Sequence, residues 1–159
     1  VPGELSEVFY NISWMDGILR KVDPDSLVNE NNFCSFDNPK DDFAVAVDNY
    51  VTNGPAFRER AVALTIGGNF EIAAKYLFIK YVVMKDDDDK FFEYNISSFQ
   101  DPPLTIDKIK KAIENIGAPQ YIKDAISKIE ELAYNGAVYG NLREKIEPLS
   151  YLAVTQCGI

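Results

Sequence analysis

The chain has 159 residues, of which 47% are apolar, the size and make-up of one globular domain with a full core. It carries 16 basic and 25 acidic side chains, for a net charge of −9, and no histidine. That charge argues against nucleic acid and anionic lipid as partners, and the missing imidazole removes His-based triads, Cys–His nucleophile pairs and most zinc sites.

In chain order, the first predicted helix carries Val8, Ile12, Met15, Leu19 and Val22 at alternating spacings of four and three, one stripe of an amphipathic helix. Ser6 is its candidate cap, and Asp23-Pro24 ends it, because the residue before proline avoids the α region. Residues 29–38, rich in Asn, read as a loop that holds Cys34. Asn38-Pro39 then starts a helix, with Asp41 and Asp42 placed at the positive end of its dipole. Asn53-Gly54-Pro55 is read as a stop, with Pro55 opening a further helix that ends at Gly67-Gly68.

Asn69 caps the next segment, which runs to Met84 with apolar residues nearly all round its axis, the pattern of a central helix. A β-hairpin over 76–99 competes with that reading, since both arms are rich in aromatic and β-branched residues. Ala73-Ala74 and the capping Asn69 favour helix. After Pro102-Pro103, Thr105 caps a helix with Ile106, Ile109, Ile113 and Ile116, closed by Gly117. Pro119 opens another with Ile122, Ile126, Ile129 and Leu132, and a last one begins at Asn141. No linker is long enough to divide the chain. Residues 1–159 therefore read as a single all-α domain, an antiparallel bundle of six or seven helices.

Chemistry-bearing groups are few. No catalytic residue, metal-ligand set or cofactor motif emerges, so the chain does not read as an enzyme. Gly67-Gly68-Asn69 lacks the Lys-Ser/Thr ending of a P-loop, and no serine has a histidine base. The four adjacent aspartates 86–89 point in different directions and lack the spaced oxygens of a calcium loop. The two cysteines, Cys34 and Cys157, are expected to form a disulfide joining an early loop to the end of the last helix. Asn11-Ile12-Ser13 and Asn95-Ile96-Ser97 match the N-glycosylation pattern, and with the Met-less start they point to an extracellular or cell-surface location. Asp86, Asp87, Asp88, Asp89 and Lys90, followed by Phe91 and Phe92, form a charged turn flanked by aromatic residues and are the expected protein-contact tip.

The Met-less start, an Asn-, Ile- and Lys-rich make-up, isoleucine-lined helices and the C-terminal Cys157-Gly158 resemble the helical merozoite surface antigens of piroplasm parasites. The resemblance implies a surface protein, held by a lipid anchor of the GPI type beyond Ile159, that contacts a component of the host cell. The absence of catalytic groups, the acidic field and the aromatic cluster make the leading expectation a secreted or surface-anchored interaction domain, an antigen or adhesin with a protein partner. The alternative is a secreted carrier of an apolar small molecule such as a fatty acid, since helical domains can enclose such a ligand. No stretch reaches the ~20 apolar residues needed to span a bilayer.

Overall fold

A computed structural model describes residues 2–21, 23–29, 31, 33–86 and 103–133. Within them lie five α-helices and one small antiparallel β-hairpin. The all-α class holds, and the described residues form five helices, not the six or seven expected. The predicted last helix from Asn141 lies outside the described residues.

Helix α1 spans Pro2–Ser13 and buries Phe9 and Ile12. It stops well short of the predicted Val22, and Ser6 lies within it instead of capping it. Strands β1 (Trp14–Met15) and β2 (Ile18–Leu19) follow at once, paired Trp14 with Leu19 and Met15 with Ile18. Asp16 and Gly17 make the turn at φ +53° and +76°. A two-residue Asp-Gly loop with both φ positive matches the right-handed twist of the strands, and that local preference outweighs the helical stripe.

Helix α2 spans Pro39–Ile66. Its start is as expected, with the Asn38 side chain accepting a hydrogen bond from Asp41 N at 2.9 Å. The predicted stop at 53–55 is instead a kink, with Asn53 alone leaving helical geometry at φ −146°, ψ 38°. Pro55 removes one donor and forces the bend, but it is also a good first residue for the turns that follow. Two predicted helices thus become one bent element, which, with the last predicted helix outside the described residues, accounts for the described count of five.

Helix α3 spans Glu71–Leu77 and runs on as a π-helical segment, Phe78–Val83. Its apolar circumference is met by burial on all sides, with Ile72, Tyr76, Leu77, Phe78, Ile79 and Val82 fully enclosed. The hairpin reading of 76–99 fails on its first arm, which is helical. Its second arm, 91–99, lies outside the described residues. Tyr76 and Phe78 belong to the aromatic centre of the core. Phe78 meets Phe9 at 5.7 Å and Phe43 at 6.0 Å, and Phe57 meets Tyr76 edge-on at 5.2 Å.

Helix α4 (Ile106–Ile116) and helix α5 (Gln120–Ala133) follow the predicted isoleucine stripes. Ile122, Ile126, Ile129 and Leu132 all face inward, whereas the α4 stripe tapers, and Ile116 is half exposed. One apolar core collects residues from all five helices, with α5 packed on α1 and α3. No helix among the described residues is long and apolar enough to cross a membrane.

Candidate functional site

The hairpin after α1 is the most distinctive surface feature. Its short loop leaves Met15 and Ile18, directly paired across the strands, 58% and 72% exposed. Large apolar side chains left in water forgo the free energy of dehydration that burial against a partner would supply.

The turn is rigid because its base is fastened. Trp14 is buried and its indole Nε1 donates to Asp42 Oδ2 at 3.0 Å. Past the second strand, Arg20 N donates to Ser13 O at 2.8 Å, and its guanidinium lies 4.1 Å from the centre of the Tyr121 ring on α5.

The Trp14 anchor leads into a buried polar network. Lys75 Nζ stands 2.9 Å from Asp42 Oδ2, with both side chains 1% exposed. The same ammonium donates to Ser26 O at 2.9 Å. Ser26 Oγ in turn donates to Glu71 Oε2. Complete burial pushes the Asp42 carboxyl up from its ordinary value, opposed by the Lys75 charge and the Trp14 N–H. The Ser35 hydroxyl stands beside the same carboxyl outside hydrogen-bond geometry. Two charges in such a place need each other, because either one left alone would be an unpaired ion out of water. Sequence reading gave Asp42 only a dipole role and Lys75 none. The available signal was Lys75 set between Ala74 and Tyr76 in a segment that is apolar nearly all round, which implies a buried counter-charge.

The expected contact tip is corrected at its first residue. Asp86 is only 4% exposed, and Tyr50 donates its hydroxyl proton to Asp86 Oδ2 at 2.7 Å. Lys85 adopts φ +52°, and its ammonium reaches the carbonyls of Leu132 and Ala133 at the end of α5. A cation there offsets the negative end of the helix dipole. The chain at 84–86 is thereby tied to the core, with the Asp86 carboxylate turned inward to Tyr50. Asp87, Asp88, Asp89, Lys90, Phe91 and Phe92 lie outside the described residues.

Asn11 is exposed on α1, while Ile12 and Ser13 of its triplet are buried. Cys34 sits in a short 3-10 turn, Phe33–Phe36, packed beside α2. Asn95 and Cys157 lie outside the described residues. No group of three metal-ligating side chains converges among the described residues.

Compared with protein-family models, with curated proteins and with solved structures, the chain matches none.

Proposed function

We propose that the chain is an extracellular or surface-anchored interaction domain that contacts a protein partner on a host cell, and that its contact point is the Trp14–Leu19 hairpin. The observation that supports this reading is the exposed Met15–Ile18 pair held on a fastened turn. Apolar anchors of this kind carry most of the energy in small interfaces, and a preorganised loop loses little entropy on docking. The acidic field of the chain favours a basic partner surface.

Folded protein incubated with candidate host cells, at low and at high salt, is expected to bind saturably. Replacing Met15 and Ile18 by Asp together should weaken binding by about tenfold or more, while stability moves by no more than about 0.5 kcal/mol per site. Absence of saturable binding at both salt concentrations would sink the proposal. Unchanged binding by the double variant would move the contact elsewhere.

The Cys34–Cys157 disulfide belongs to the same proposal, because it requires an oxidising compartment. Thiol titration of native, unreduced protein is expected to find no reactive sulfhydryl before reduction and two after it. Two free thiols in the native protein would overturn both the clamp and the extracellular assignment.

A further inference from the structure

We infer that the cleft between the second half of α2 and the start of α4 is a binding site for a fatty carboxylate. The inference goes beyond the contact reading and is independent of it.

The cleft has a volume of about 500 Å³, within the range of small-molecule sites. Its walls are chiefly apolar, formed by Val62, Ala63, Ile66, Leu104 and Ile109. Val62 and Ile66 are 41% and 76% exposed, so the cleft opens to solvent along α2. On α2, Arg58, Val62 and Ile66 recur every four residues and lie along one face, about 12 Å from end to end at 1.5 Å per residue. An extended acyl chain suits such a channel.

Two cations on the wall favour an anionic head. Lys108 is exposed, and its ammonium makes one short hydrogen bond, 2.6 Å to Pro103 O at the cleft margin, which leaves two donor protons for a ligand. Arg58, buried on α2, lines the same cleft. Glu59 also lines the cleft, a single carboxylate against those two cations. The formal charges that line the cleft thus sum to +1, against the acidic excess of the chain as a whole.

Laurate is the probe and dodecanol its uncharged counterpart. Calorimetric titration of the whole chain with laurate, with native mass spectrometry for stoichiometry, is expected to give one bound molecule per chain. Lys108→Gln should weaken laurate by about tenfold and leave dodecanol nearly unchanged, the mark of a lost charge pair and not of a lost fold. Val62→Trp, at a partly exposed position, should fill the cleft and abolish uptake of both probes. No uptake of laurate by the unaltered protein overturns the site. Uptake unaffected by both Lys108→Gln and Val62→Trp overturns it as well, by placing the ligand elsewhere.

Discussion

Asp42→Asn is expected to destabilise the fold by about 3–5 kcal/mol, because it removes one charge of a buried pair and strands the other. Lys75 is 1% exposed and loses the carboxylate that stands 2.9 Å from its ammonium. The asparagine oxygen can still accept the Trp14 N–H, so the loss reports the stranded cation and not the indole bond. The double variant Asp42→Asn/Lys75→Met removes both charges and should regain most of the deficit, since apolar replacements of buried pairs are often neutral or stabilising. Urea denaturation of the two single variants and the double variant, read as a thermodynamic cycle, checks this. A single-variant loss below about 1 kcal/mol would mean that water reaches the pair.

The pH dependence has a definite sign. Burial raises the Asp42 carboxyl above its ordinary value, against the pull of Lys75. Between those two values the folded state binds the extra proton, so stability from this group is present at lower pH and falls as pH rises through the window. In Lys75→Met the opposing charge is gone, and the window should extend to higher pH. Denaturation midpoints compared across pH with the double variant isolate this group from the other carboxylates.

The second large effect is expected at the aromatic centre. Phe78→Ala should cost about 3–5 kcal/mol, the usual range for emptying a fully enclosed phenylalanine site. Phe78 is 0% exposed, and its ring meets both Phe9 and Phe43, which themselves stand 5.0 Å apart edge to face. These three rings join α1, α2 and the π-helical turn, so the cavity loosens three elements at once. Phe78→Leu should cost clearly less, because it leaves a smaller void. Phe43→Ala combined with Phe78→Ala should fall short of the sum of the single losses, as expected for residues that share contacts. Additive losses would show that the rings act independently.

Helix α2 shows how a local signal can be right and its consequence wrong. Asn38-Pro39-Lys40-Asp41 names its start without reference to anything else in the chain. Asn53-Gly54-Pro55 equally names a break, but whether the chain turns away or merely bends depends on what packs beyond it. Phe57 and Ala61 are buried in the same core as Phe43 and Tyr50, so the second half continues close to the first. The hairpin was legible too. Asp16-Gly17 is a strong short-range turn signal, and the 4-3 stripe through Met15 and Leu19 obscured it.

The candidate contact pair was not legible as a site. Met15 and Ile18 look like core residues in any pattern, and only the turn between them shows that they face water. The same holds for Asp86, which reads as the first of four solvated charges yet accepts a buried hydrogen bond from Tyr50, 36 residues away.

By itself, then, the sequence determined what depends on neighbours in the chain. That covers the helical class, the caps at Asn38 and Thr105, the isoleucine stripes of α4 and α5, and the apolar circumference of residues 71–83. Those features follow from backbone stereochemistry and from a period of 3.6 residues. The tertiary structure alone decided which charges pair out of water, which apolar residues stay wet, and where two helices leave a cleft. Each of these depends on distances between residues far apart in the chain, such as Asp42 and Lys75, Trp14 and Asp42, or Val62 and Ile109. A one-dimensional pattern carries the tendency of a side chain to be buried, but the partner that burial brings it is set only when the helices pack.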